Sequence, residues 1–263
     1  MDIRLLSPPD LGALMRLKES AGWNQTEGDW LRLMSLEPYG CFGIEQDGVL
    51  AATATVVCYG RKLAWIGMVL TLPEYRGKGL ARELVEHCIK YAGRRTVRLD
   101  ASEMGKALYA SLGFVEECAI ERWCRPASPA DTPYLAPTRP ELFPFDTEVN
   151  QVDRQDLLST LSMYECAGLG KGYAFGRPGT NAAYFGPCAA ESDDDAQDLL
   201  RWYLALHAKE PVYWDLFPHH KSTRHLAHEH GFRPERHLTR MVLRGDPTPP
   251  DQRIYAIAGF EYG

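Results

Sequence analysis

Two segments of this chain follow one plan, and an internal duplication constrains a fold more than any single motif can. Ala81, Leu84, Val85, Cys88 and Ile89 recur at helical spacing, with Arg82, Glu83, Glu86, His87 and Lys90 on the opposite face. Ala196, Leu199, Leu200, Tyr203 and Leu204 repeat that spacing. Each expected helix follows a strand ending in proline, Pro73 in one case and Pro187 in the other. Further along, Val97-Arg-Leu-Asp100 corresponds to Val212-Tyr-Trp-Asp215, and Leu108 to Gly113-Phe114 corresponds to Leu226 to Gly231-Phe232. Eight residues after each phenylalanine stands an arginine, Arg122 or Arg240. Four agreements in one order predict duplicated domains.

Prolines 126, 129, 133, 137, 140 and 144 deny the stretch between the repeats both helix and central strand. The expected division is therefore a first domain over 1–124, a proline-rich linker over 125–145 and a second domain over 146–263. With 263 residues, 45% of them hydrophobic, the chain can build both cores. Strands are expected at Gly40–Ile44, Val49–Cys58, Leu63–Leu72, Thr96–Leu99 and Phe114–Trp123, and helices at Pro8–Ala21 and Glu27–Leu36.

A net charge of −6 argues against a nucleic-acid or anionic-membrane partner, because neither would find a basic counter-field. An amine is easier to accommodate. No apolar run reaches the length of a membrane span, and the expectation is a cytoplasmic protein. Seven scattered cysteines without a C-x-x-C pair suggest neither a disulfide framework nor a cysteine zinc site. Six of the eight histidines fall between His219 and His237, where His225, His228 and His230 could share a helix. The bland reading, a polar helix with its loops, is preferred, and no metal is expected.

The stretch Pro73-Glu-Tyr-Arg76-Gly77-Lys78-Gly79-Leu80-Ala81 carries the chemistry. It joins a strand to a helix through glycines, so several unpaired backbone N–H groups and the positive end of a helix dipole can converge on a diphosphate. Arg76 and Lys78 add cationic contacts. The loop is neither a Walker loop nor a dinucleotide-fold glycine motif.

Here the sequence resembles the GNAT superfamily of acyl-CoA N-acyltransferases, whose Arg/Gln-x-x-Gly-x-Gly/Ala signature is matched by Arg76, Gly79 and Ala81. The resemblance covers residues 1–124 and includes Gly105-Lys-Ala-Leu-Tyr109-Ala-Ser-Leu-Gly-Phe114. Ala-Gly-Trp23-Asn24-Gln25-Thr-Glu-Gly-Asp29-Trp30 is similar to the acceptor-covering segment of a two-domain bacterial subgroup with a degenerate GNAT-like second half. Gly-Arg177-Pro-Gly, Tyr184-Phe-Gly-Pro187, Thr239-Arg240-Met241 and the segment ending Ala-Gly-Phe-Glu-Tyr-Gly263 look like markers of that subgroup. The resemblance implies an α/β (α+β) fold of tandem GNAT-like domains, each a mixed, mostly antiparallel twisted sheet flanked by helices. Acetyl-CoA is the implied co-substrate, held by Val69, Leu70 and Thr71 of a splayed strand and by Arg76, Gly77, Lys78, Gly79, Leu80 and Ala81. Tyr109 has the family's position for protonating the departing thiolate.

The general base stays open among Glu27, Asp29, Asp100 and Asp215, with the carboxylate of Gly263 as a further possibility. A final strand closing the second sheet is the preferred reading of Ile254–Tyr262. Substrate contacts are expected from Trp23, Asn24, Gln25, Asp29, Asp215 and Gly263, with Trp214, Tyr173 and Arg177 as possible liners. In the second half, Glu191, Asp193, Asp194 and Asp195 stand where the phosphate loop would be and would repel phosphates, and Ala227 replaces Tyr109. The expected activity is transfer of an acetyl group to a primary amine of a small molecule or peptide by direct attack in a ternary complex. The alternatives are a longer acyl-CoA donor or a non-catalytic acyl-CoA-binding protein.

Overall fold

The computed structural model describes residues 2–129 and 143–263. Pro133, Pro137 and Pro140 of the expected linker lie outside the described residues. In the first half the order is β1 (Ile3–Leu5), α1 (Leu11–Ser20), α2 (Glu27–Leu36), β2 (Cys41–Gln46), β3 (Val49–Tyr59), β4 (Leu63–Thr71), α3 (Leu80–Tyr91), β5 (Thr96–Ser102), α4 (Glu103–Ser111) and β6 (Val115–Arg125). The second half continues with α5 (Phe143–Asn150), α6 (Gln155–Leu161), β7 (Cys166–Leu169), β8 (Gly172–Arg177), β9 (Ala183–Ala189), α7 (Asp193–Leu206), β10 (Val212–Leu216), α8 (Lys221–Glu229), β11 (Arg233–Leu243) and β12 (Ile254–Ala256).

The duplicated pattern is realised element by element, down to its turns. The Phe114 N–H donates to the Tyr109 carbonyl at 3.1 Å, and the Phe232 N–H donates to the Ala227 carbonyl at 2.9 Å. Yet the halves do not build separate sheets. The twelve strands of the described residues join one sheet in the order β1-β2-β3-β4-β5-β11-β6-β10-β9-β8-β7, with β12 on β9. Strand β11 of the second half lies between β5 and β6 of the first, and β6 lies between β11 and β10, so each half lends one strand to the other.

That exchange brings the repeated aspartates and arginines together. The Arg240 guanidinium donates to both oxygens of Asp100 at 2.9 and 3.0 Å, and Arg122 donates to both oxygens of Asp215 at 2.8 and 2.7 Å. Both carboxylates are fully buried. Each fork-on-carboxylate contact is two charge-assisted bonds, and each crosses between the halves.

Helix α3 buries Leu80, Leu84, Val85 and Cys88 on β2, β3 and β4 as its apolar stripe requires. On the other face, α1, α2 and α6 share one core, in which Leu14, Leu17, Trp30 and Leu33 of the first half meet Leu157, Leu158, Tyr173 and Phe217 of the second. Covered on both faces, β4 reads as an almost continuous apolar run. Pro187 does not end its strand but sits within β9. It falls at a register irregularity between β8 and β9, beyond the last β10 pairing at Phe185, where a missing N–H breaks no regular ladder.

Candidate acyl-CoA and acceptor site

Strands β4 and β5 are parallel neighbours for three residues, from Leu63↔Thr96 to Trp65↔Arg98, and then diverge. The divergence starts beside a bulge against β3, where Met68 adopts φ +49° and its carbonyl accepts the Thr53 hydroxyl at 2.9 Å. Beyond it, among the described residues, the β4 backbone pairs only with β3. The Leu72 N–H donates to the Ala51 carbonyl at 2.9 Å, so strand alternation turns the Leu70 N–H to β3 and the Val69 and Thr71 N–H groups toward the opening.

A groove of about 550 Å³ occupies this opening. One wall is Val69, Leu70 and Thr71; its floor is Arg76, Gly77, Gly79, Leu80 and Ala81. Gly77 and Gly79 have φ +75° and +82°, left-handed values that turn the loop so that Gly79 caps α3 and the first α3 amides face the groove. Lys78, in contrast, lies over the Tyr75 ring at 4.7 Å and is outside the groove lining. Arg76 is tied to the strand through its Nε, which donates to the Thr71 carbonyl at 3.3 Å. Open amides at both the strand and the helix end, with left-handed glycines between them, fit the amide arm and diphosphate of coenzyme A.

The groove continues into an inner cavity between β4, β5 and the second half. Trp23, Val69, Ser102, Tyr109 and Arg236 line both spaces. Tyr109 packs edge-on against Phe114 at 6.1 Å and is 7% exposed. Gly105 makes room for its ring, since a Cβ there would come within 2.9 Å of Cε2. Burial pushes the Tyr109 hydroxyl well above the usual phenol range, and among the described residues it has no hydrogen-bond partner.

Deeper in, the cavity is lined by Gln25, Gly67, Asp100, Arg122, Phe260 and Glu261. The segment after β12 leaves the second half and crosses β4 at Gly67, where a Cβ would lie 2.7 Å from the Glu261 Cα. Trp65 Nε1 donates to the Phe260 carbonyl at 2.9 Å and the Tyr59 hydroxyl to the Tyr262 carbonyl at 2.7 Å, so the crossing is fixed. Glu261 accepts from Gln25 Nε2 at 2.9 Å on one oxygen and from Arg177 at 3.0 Å on the other. Desolvation raises its carboxyl above the ordinary glutamate value, against the pull of Arg177.

Several sequence-selected residues stand elsewhere. Asn24 is a clamp between the halves: its amide donates to the Ala182 carbonyl at 3.0 Å, and its oxygen accepts the Asn181 and Ala182 N–H groups. Asp29 closes the capping box of α2 with Thr26 and holds Arg32 and Arg177 at 2.8 and 3.2 Å, away from the cavity lining. Asp215 is sealed behind Arg122, and Glu27 is exposed at the start of α2. Tyr173 and Trp214 are packed in the cores. The Gly263 carbonyl accepts from Arg154 at 2.9 Å and lines a separate cavity of about 400 Å³ beyond Trp65. Of the expected final strand over Ile254–Tyr262, Ile254–Ala256 pairs on β9 as β12, and the residues after it cross to the first half, where Gly263 lies away from the inner cavity. Glu261, Phe260 and Arg236 were missed by sequence reasoning.

The second half has the same splay, but a strand occupies it. Strands β9 and β10 pair from Ala183↔Val212 to Phe185↔Trp214 and then part, as β4 and β5 do. Strand β12 fills the gap, with Ala256 opposite Cys188 and Trp214 Nε1 donating to the Tyr255 carbonyl at 2.8 Å. The acidic turn before α7 is engaged as well, because the Tyr255 hydroxyl donates to Asp193 at 2.6 Å. The histidines are dispersed: His228 packs on the Trp123 ring at 4.6 Å, while His237 meets Glu121 at 2.9 Å.

Comparison with known proteins agrees with this geometry. Residues 12–114 match the acetyltransferase (GNAT) family, and residues 143–256 match an acetyltransferase (GNAT) domain. The chain belongs to the GNAT acetyltransferase family. Its two GNAT units make it a tandem member and a GNAT-type N-acetyltransferase. It is 27% identical over 243 residues to YitH of Bacillus subtilis (strain 168), named as an uncharacterized N-acetyltransferase, with 84% of each chain covered. A protein from Pyrococcus horikoshii assigned as an acetyltransferase superposes with a TM-score of 0.87 at 19% identity, covering 100% of this chain and 95% of its own. A tandem GNAT protein from the clavulanic acid biosynthesis pathway gives a TM-score of 0.65 at 14% identity, with 94% and 99% covered. GNAT proteins generally use acetyl-CoA. No helix among the described residues is long and apolar enough to cross a membrane.

Proposed function

We propose that the protein moves an acetyl group from acetyl-CoA to a primary amine by direct attack in a ternary complex. The observation that carries this reading is the placement of Tyr109: a largely buried phenol, without a hydrogen-bond partner among the described residues, that lines both the diphosphate-compatible groove and the inner cavity. Acetyl-CoA, when bound, supplies a thioester as the electrophile. Arg76, Gly77, Gly79, Leu80 and Ala81 hold its diphosphate, and the Val69 and Thr71 amides hold its arm and polarise the carbonyl. Lys78 contributes charge from the rim. Burial keeps Tyr109 neutral, so the hydroxyl acts as a donor toward the leaving sulfur rather than as a base. Glu261 takes the amine proton: it is the buried carboxylate in the cavity with single contacts on two different oxygens, whereas Asp100 is gripped on both oxygens by one guanidinium. Trp23 and Gln25 shape the acceptor space.

The test is Tyr109→Phe, which keeps the packed ring and removes the donor. Turnover, read as thiol release, is expected to drop by about 10²–10⁴-fold while calorimetric acetyl-CoA affinity stays within about twofold. A variant at full rate under saturating substrates would take Tyr109 out of the mechanism. A folded protein that binds acetyl-CoA but turns over no amine would favour an acyl-CoA-binding role.

A further inference from the structure

Among the described residues, the buried charges around the inner cavity are matched by ion pairs, with one exception. Asp100 is matched by Arg240, Asp215 by Arg122, Asp29 by Arg32 and Glu261 by Arg177. Arg236 remains. It is half-buried, lines both the groove and the cavity, and among the described residues has no ion-pair or hydrogen-bond partner; its guanidinium lies 5.9 Å from the centre of the Trp23 ring.

A local irregularity puts it there. Along β11 the register against β6 runs Arg233↔Cys124 and Pro234↔Trp123, then skips Glu235, so that Arg236 falls opposite Arg122. A bulge of this kind re-aims the side chains that follow it. Without it, Glu235 would stand beside Arg122 and offer a compensating charge. With it, two guanidinium-bearing residues are cross-strand neighbours, a repulsive arrangement. Burial, and after it the nearby Arg122, lower the affinity of Arg236 for its proton, and the more distant carboxylates of Asp215 and Glu235 offset this only in part.

We infer that the acceptor amine also carries a carboxylate, and that Arg236 is the residue that binds it. The inference rests on the acetyltransferase reading and names its substrate class: amino acids or other small amino-carboxylates. A guanidinium matches a carboxylate in two parallel hydrogen bonds, and a partly desolvated site makes that match selective. A phosphate of coenzyme A is the competing anion. It belongs at the other end of the groove, because Arg76, Gly77 and Gly79 line the groove alone whereas Arg236 also reaches the cavity that holds Gly67 and Glu261. The carboxylate at Arg236 and a proton acceptor at Glu261 would orient one small molecule between them.

The experiment compares L-leucine, L-phenylalanine, L-lysine and 4-aminobutyrate, each against its own carboxamide, alongside phenethylamine, cadaverine and an amidated hexapeptide. Thiol release is measured for the whole chain and for Arg236→Gln, with Arg236→Lys as the conservative partner. At least one carboxylate is expected to exceed its amide in kcat/KM by about 10- to 100-fold, the range for a hydrogen bond to a charged group. R236Q should erase that preference, R236K should restore part of it, and acetyl-CoA affinity should be the same in all three. Calorimetry of the preferred carboxylate into the CoA-saturated protein should show binding that R236Q abolishes. Preference for the amides or for carboxylate-free amines, or a preference that survives R236Q, overturns the inference and leaves the acetyltransferase reading standing. Loss of acetyl-CoA affinity in R236Q would assign Arg236 to the cofactor instead. No turnover of any amine by a protein that binds acetyl-CoA would overturn both.

Discussion

Replacing Arg240 by methionine keeps the apolar stem on β11 and removes the charge that faces Asp100. The Asp100 side chain is 0% exposed and its two oxygens are both engaged by Arg240, so the variant leaves a buried carboxylate without compensation. Breaking such a pair on one side costs about 3–5 kcal/mol, against about 0–1 kcal/mol for an exposed pair. That is a large share of the roughly 5–15 kcal/mol that holds a domain together. The loss also has a predicted pH dependence. Burial already raises Asp100, and removing Arg240 raises it further above an unfolded value near ~3.9. The native variant then binds more protons than its unfolded chain, so its stability falls as pH rises and the penalty is greatest at neutral to alkaline pH. Urea unfolding at pH 5 and pH 8, followed by circular dichroism, is expected to show about 3–5 kcal/mol lost at pH 8 and distinctly less at pH 5. Asp100→Leu added to R240M should recover most of the loss. A penalty below about 1 kcal/mol at pH 8, or one equal at both pH values, would refute the claim that this cross-half pair is a buried, matched unit.

Gly79→Asp places a side chain at φ +82° and a carboxylate against the diphosphate position, and acetyl-CoA affinity by calorimetry should fall by at least about 10²-fold with an unchanged far-ultraviolet spectrum. For Glu261, whose carboxyl lies above its ordinary 4.5, kcat/KM should decline as pH is lowered through that raised value. The acid limb therefore sits above 4.5, and Glu261→Gln should lower the plateau and flatten the limb; a limb unchanged in the variant would assign it to another group.

The local grammar of this chain was legible because it depends on neighbours in sequence. Helix α3 and the glycine turn that leads into it follow from spacing and glycine positions, and the place of Tyr109 four residues before Gly113-Phe114 from the resemblance to the family. Asp100, Arg122, Asp215 and Arg240 were visible as matched positions of a repeat. Their pairing was not, since it requires β11 to lie between β5 and β6, and nothing in a strand's own pattern names its partner. Pro187 reads as a strand end from composition, but irregular pairing makes room for it inside β9. Glu261 is one carboxylate in an apolar segment, and Arg236 stands among Arg233, Glu235 and His237 like any solvated strand edge. A skipped residue in the register, which no periodicity announces, gives Arg236 its position.

The exchange of β6 and β11 also has a consequence for how the protein is made. Arg233, the first residue of β11, is added 108 residues after Arg125, the last of β6. At synthesis rates of about 5–20 residues per second, the nascent first half waits about 5–20 s for the strand that completes it. Until then β5 and β6 lack the strand that pairs with them, and Asp100 and Arg122 lack their partners Arg240 and Asp215. The strands β4 and β5 are made early, but the inner cavity between them is lined in part by Phe260 and Glu261, which follow β11 in the chain. The cavity can therefore close only after the second half has been made.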